Sequence, residues 1–178
     1  AAGIDVSSTK EDGSKDDSGT VHLRARRDTE TTVAVNTIAT NIAGARRIDV
    51  EAVKTYAAQN VDTALIGTIR GETDAFMTNA AAIETALGAN ADARIHLVPG
   101  IEIESTGDLA VNADWDLLDW RYGDQAGVLS LRAAGNLNLN RSVSDGVKFA
   151  TVADGLFSPR DIVQSGPSWS YRLAASAE

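Results

Sequence analysis

The sequence predicts a mainly β chain of stacked units with a helical hairpin inserted between its strands, and three features carry that prediction. Gly107-Asp108-Leu109-Ala110-Val111-Asn112 recurs as Gly135-Asn136-Leu137-Asn138-Leu139-Asn140, an offset of 28 residues. Gly19-Thr20-Val21-His22-Leu23-Arg24-Ala25 recurs as Gly127-Val128-Leu129-Ser130-Leu131-Arg132-Ala133. Each phrase is a Gly turn followed by a short strand of alternating apolar residues, a unit too small to bury its apolar face alone. The third feature is a stretch between Asn60 and Gly88 in which the apolar period changes from that of a strand to that of a helix. The repetition favours an elongated structural protein over a pocketed enzyme. The competing reading is a sandwich that uses similar hairpins twice.

Taken in order, residues 1–18 read as a polar, mobile segment, because Ser7 to Ser18 contains no apolar residue. Residues 19–178 read as one β domain. Val21 and Leu23 alternate with polar neighbours, and Val33, Val35, Ile38, Ile42, Ile48, Val50 and Val53 continue the strand-like pattern. Arg26, Arg27, Arg46 and Arg47 fall at strand ends, where a solvated position is expected. Leu65, Ile69, Phe76, Ala80, Ile83 and Leu87 then form a helical stripe, placing the insert at about 60–88. Asn60 is its expected N-cap and Gly88 its expected C′ residue, with Gly71 ending the first helix and Glu72 or Thr73 opening the second. The stripe should pack on the strands and leave Arg70, Asp74 and Glu84 in water. Ile95 and Leu97, a turn at Pro99-Gly100, and Ile101 and Ile103 read as strand, turn and strand. Leu109 and Val111, Val128 to Leu131, and Leu137 and Leu139 follow. A weaker element comes at Val147, Phe149 and Val152, then a loop bracketed by Pro159 and Pro167, then a last strand at Trp169, Tyr171 and Leu173. The repeated phrases should occupy equivalent positions on stacked units, with Leu109, Val111, Leu137 and Leu139 facing one core.

Composition narrows the function. Sixteen Lys and Arg against 25 Asp and Glu give a net charge of −9, which repels phosphate backbones and anionic membrane surfaces, so no nucleic-acid partner is expected. No apolar run approaches the roughly 20 residues of a membrane span, so no membrane insertion is expected. With no Cys there can be no disulfide, thiol nucleophile or Cys-ligated metal. The chain opens Ala1-Ala2-Gly3 without a basic and apolar leader, and reads as cytosolic or as a piece of something longer.

His22 and His96 stand alone in strand-like runs. There is no His-x-x-x-His pair, Gly-x-Ser-x-Gly elbow or phosphate-binding loop. The chain is therefore read as non-enzymatic, with no catalytic residue, metal or cofactor. One acidic, aromatic loop is the candidate binding site: Asp114, Trp115, Asp116, Asp119, Trp120 and Tyr122, with Asp124 beside them. Carboxylate oxygens suit Ca²⁺, and flat rings stack on apolar sugar faces. The alternative is an acidic loop between units whose Trp rings pack inward, and the absence of EF-hand or calcium-nonapeptide spacing favours it. Arg121 and Arg132 could join these carboxylates in polysaccharide chemistry, but nothing in the spacing demands it.

Between Val98 and the end the motifs fall in a recognisable order. Val98-Pro99-Gly100-Ile101-Glu102-Ile103 leads to Thr106-Gly107-Asp108-Leu109, Asp114-Trp115-Asp116-Leu117, Trp120-Arg121-Tyr122-Gly123 and the run Gly127 to Leu137. Leu139-Asn140, Ser144-Asp145-Gly146 and Ser168-Trp169-Ser170-Tyr171-Arg172-Leu173 follow. This order resembles the filamentous-haemagglutinin-family exoproteins of Gram-negative bacteria, and Ile48-Asp49-Val50-Glu51-Ala52 with the helical segment resembles the region before those motifs. The resemblance covers the chain from about Gly19 onward. It implies a right-handed parallel β-helix, two-partner secretion through a dedicated outer-membrane transporter, and an extracellular or cell-surface location. It further implies work as an adhesin, structural rod or filament. The partners expected are copies of the chain, further units of the parent protein, and host-cell or environmental glycans. The family's amino-terminal secretion domain has no counterpart in these residues, so they read as an internal segment. A carbohydrate-binding or polysaccharide-active β-helix module is the second reading, with the 114–124 loop as its site.

Overall fold

The computed structural model describes residues 4–16, 18–38, 42–150, 160–163 and 165–176. The described residues are mainly β, with two helices among them. In chain order the elements are β1 (Ile4–Asp5), β2 (Ser8–Thr9), β3 (Lys15–Asp16), β4 (Gly19–Thr29), β5 (Thr32–Val33), β6 (Ile42–Ala43), β7 (Ala45–Ala57), β8 (Asn60–Val61), α1 (Thr63–Met77) and α2 (Ala80–Leu87). There follow β9 (Ile95–Ser105), β10 (Leu109–Val111), β11 (Trp115–Asp116), β12 (Val128–Ala133), β13 (Leu137–Leu139), β14 (Val143–Ser144), β15 (Val147–Ala150), β16 (Arg160–Val163) and β17 (Ser170–Ala174). Of the weak elements expected late in the chain, Val152 and Pro159 lie outside the described residues. The chain packs as two compact units, Ala1–Lys54 with Glu72–Gly100, and Thr55–Gly71 with Ile101–Glu178.

In the first unit β4 pairs with β7 in parallel, Val21 opposite Ile48, Leu23 opposite Val50 and Ala25 opposite Ala52. Val21, Ala25, Ile48, Val50, Ala52, Phe76, Ile83, Leu87, Ile95 and Leu97 are buried. The polar stretch 7–18 carries the antiparallel pair β2–β3, turned by Asp12, whose carboxylate accepts the Ser14 N–H at 2.9 Å. Among the described residues from Val33 to Ile38 the expected strand does not continue past β5, because Val35 bonds back to Val33 O and Ile38 N–H goes to Leu87 O instead of a ladder. Arg27 is not a solvated strand end. It donates to Ala52 O at 3.1 Å, and its guanidinium lies 4.4 Å from the Phe76 ring centre. Glu51 is 1% exposed and is matched by Arg24 at 3.5 Å.

Two sequence expectations about glycine fail for physical reasons. Pro99-Gly100 does not turn, and β9 runs straight through it. A Cβ on Gly100 would sit 2.8 Å from Glu51 Cγ, so the glycine serves the close approach of β7. Gly71 does not end α1, which continues to Met77. Each interior glycine costs about 1 kcal/mol against Ala. Burying Ile69, Phe76 and Met77 returns about 1.5–3 kcal/mol apiece, so packing outweighs propensity. The cap of α1 is Asp62, whose Oδ1 accepts the Leu65 N–H at 2.9 Å, while Asn60 belongs to β8. Gly88 ends α2 at φ 107°, as its position predicts. Glu84 is not left in water: its Oε1 accepts the Leu97 N–H of β9 at 2.8 Å.

In the second unit the 28-residue offset is a register. β10 pairs in parallel with β13, Leu109 on Leu137, Ala110 on Asn138 and Val111 on Leu139. β11 pairs in parallel with β14, Trp115 on Val143 and Asp116 on Ser144. β12 pairs in parallel with β17, Leu129 on Tyr171 and Leu131 on Leu173. Val61, Ile69, Ile101, Ile103, Leu109, Val111, Trp115, Leu117, Trp120, Leu129, Leu131 and Trp169 make the core. The other repeated phrase behaves differently. β4 and β12 share one six-stranded sheet of order β17-β12-β9-β7-β4-β5, but β7 and β9 stand between them, so those copies do not stack on each other. Nor do all four phrase leucine and valine positions reach the core. Leu109 and Val111 are fully buried and Leu137 is half-buried, but Leu139 is 51% exposed. β13 is the last strand of its sheet, so Leu139 has a neighbour on one side only.

Candidate functional site

The acidic, aromatic loop is built by strand alternation. Trp115 and Leu117 point inward and Asp114 and Asp116 outward, as period two requires. Trp115 is 1% exposed and Trp120 5%, their rings meeting edge to face at 5.8 Å. The Arg70 guanidinium lies 5.0 Å from the Trp120 ring. Tyr122 is half-buried against the same core and its backbone bonds to Gln125 in both directions at 3.0 Å, closing a turn with Asp124 at φ 64°. Asp114, Asp116 and Asp119 are exposed. Asp116 Oδ1 accepts the Leu118 N–H at 2.9 Å. The structure thus parts the six predicted residues, the two Trp rings into the core, Tyr122 half-buried against it and the three carboxylates to the surface, and neither indole face is open for stacking on a sugar. Among the described residues no three His, Cys, Asp or Glu gather as a metal site.

One of these carboxylates, Asp114, binds the next unit, as does Asp108 outside the loop. Asp114 Oδ1 accepts the Ser142 N–H at 3.0 Å, and Asp108 Oδ1 accepts the Asn136 N–H at 2.7 Å, each 28 residues on. Asn140 Nδ2 donates to Asn112 Oδ1 at 2.7 Å with the same offset, and Asn112 Nδ2 donates to Asn60 Oδ1 at 2.6 Å. A Cβ on Gly135 would overlap the Asp108 carboxylate, which explains the glycine that opens the second phrase. No described helix is long and apolar enough to cross a membrane.

No protein-family model, curated protein or solved structure matches this chain.

A second feature of this unit is a set of open strand edges. β13, β14 and β17 each end a sheet, and among the described residues nothing pairs with their outer edges. They surround an apolar cavity of 340 Å³ lined by Leu129, Leu131, Leu139, Val143, Tyr171 and Leu173. Leu139 and Leu173 are 51% and 52% exposed beside it. Burial, then the Asp145 and Asp116 carboxylates, push the Tyr171 phenol up to about 12, so it stays protonated. Asp145 also accepts the Trp169 N–H, and Arg121 donates to Asp145 O at 2.8 Å, which ties down the entry to β17. The strong alternation of Trp169, Tyr171 and Leu173 marks the strand in the sequence; that Leu139 and Val143 line the same cavity is decided by the packing.

Proposed function

We propose that the chain is a non-enzymatic segment of a secreted, surface-associated exoprotein of the filamentous-haemagglutinin type, built as a right-handed parallel β-helix. It serves as adhesin, structural rod or filament. The observation that carries this reading is the 28-residue register of β10 on β13 and β11 on β14, with its aspartate and asparagine links. Units that hold one another by main-chain pairing and short polar side chains build length without a pocket. The partners in this reading are copies of the chain or further units of a parent protein, with an outer-membrane transporter for export. The carbohydrate reading loses support from the burial of Trp115 and Trp120, and keeps only the exposed Asp114, Asp116 and Asp119. Protease shaving of intact producing cells tests the proposal. Release of fragments from residues 19–178 before lysis is expected; fragments that appear only after lysis would refute a surface role.

A further inference from the structure

The open edge of the second unit prescribes its occupant. Residues 107–116 carry β10 and β11, and residues 135–144 carry β13 and β14 laid on them position by position. At the second position Asp108 takes the N–H of Asn136, at the sixth Asn112 takes the amide of Asn140, and at the eighth Asp114 takes the N–H of Ser142. The second phrase repeats these places with Asn136, Asn140 and Ser142, all exposed. β17 already lies on β12 and the Ser176 N–H that follows it bonds Gly135 O at 2.9 Å, so the open positions are those past Gly135, over β13 and β14.

Resting on the stacked-unit reading above, we propose that the outer edges of β13 and β14 bind, in trans, an extended polypeptide segment of this same ten-residue phrase. Its third and fifth residues are aliphatic, its sixth is Asn and its ninth is aliphatic or aromatic. It pairs in parallel, so that its apolar side chains close the 340 Å³ cavity and its asparagine extends the Asn60–Asn112–Asn140 ladder. Main-chain bonds to an exposed edge give such a segment affinity, and the alternate apolar positions give it specificity. A second folded copy does not supply the phrase at 107–116, because Leu109 and Val111 are fully buried there.

The probe is a fluorescent peptide copying Gly135 to Ser144, titrated with the whole chain and read by anisotropy. Saturable one-to-one binding is expected. Asp at the peptide's fifth position should weaken it about tenfold or more, and Leu139→Asp in the protein should do the same. Asn138→Asp, on the exposed side of β13, should leave it within about twofold. Because the peptide substitution leaves the protein untouched, poor folding of Leu139→Asp would not blur the result. No saturable binding, or equal binding of a scrambled peptide, overturns the proposal, as does a dimer in sedimentation velocity that excludes the peptide. Hydrogen exchange on the same samples separates two failures. Protected Leu109 to Val111 amides without peptide binding defeat this inference alone, whereas rapid exchange there defeats the stacked-unit reading itself.

Discussion

Leucine-to-alanine substitutions along the repeated phrase turn the open edge into a stability measurement. Leu109 is fully buried, Leu137 half-buried and Leu139 51% exposed, although all three sit in copies of one phrase. Leu109→Ala removes a buried isobutyl group and leaves a cavity in the core formed with Val61, Ile103, Val111 and Leu131, so a loss of about 3–5 kcal/mol is expected. Leu137→Ala removes a side chain that is only partly covered and should cost less, about 1–2 kcal/mol. Leu139→Ala, with solvent on one side, should stay within about 0.5 kcal/mol. Urea denaturation followed by far-UV circular dichroism reads the series. With a slope of about 1–3 kcal/mol per molar, Leu109→Ala should lower the midpoint by more than about 1 M while Leu139→Ala barely moves it. The reasoning fails if Leu139→Ala costs as much as Leu109→Ala, because Leu139 would then be covered in solution and the edge closed. It also fails if Leu109→Ala costs under about 1 kcal/mol, because β10 would then not belong to the core.

Three further outcomes follow from the same geometry. Asp108→Ala removes the acceptor of the Asn136 N–H and should cost about 1 kcal/mol, and Gly135→Ala, whose Cβ overlaps the same carboxylate and meets backbone only at 3.2 Å, should cost less in the Asp108→Ala background than alone; denaturation of the three proteins checks this. The Arg94 guanidinium bonded to Asp92 at 2.9 and 2.7 Å holds that carboxyl below its ordinary 3.8. The pair's stabilisation is therefore complete above that value and lost as pH falls through the lowered one, and Arg94→Gln should flatten that acid limb in a stability–pH profile. Tyr171, raised to about 12 from 10.0, should ionise well above the ordinary tyrosine value in an ultraviolet pH titration. A raised phenol pKa contributes stability that is complete below 10.0 and lost on rising through 12, and Asp145→Asn should bring the Tyr171 transition down.

Much of the architecture was written locally. Alternation at Leu109, Val111, Leu129 and Leu131 marks strands because successive side chains leave a strand on opposite faces, and the stripe through Ile69, Phe76, Ile83 and Leu87 marks a helix for the corresponding reason. The 28-residue repeat named its own partner, since identical spacing lets like residues stack in parallel register. Gly88 ended its helix as its type and place predict, whereas the cap of α1 went to Asp62 and not to the expected Asn60, which a strand took. Other outcomes depended on neighbours distant in sequence. Gly71 stayed helical because buried side chains outweigh its propensity, and Gly100 stayed extended because β7 passes too close for a Cβ. Glu84 left water because a β9 N–H lay within reach. Trp115 and Asp114 took opposite faces by alternation, but only the assembled core decided that the Trp face is the buried one. The sequence of Leu139 resembles that of Val111; what separates them is that a strand lies on both sides of β10 and on one side of β13, and burial is a property of those neighbours rather than of the residue.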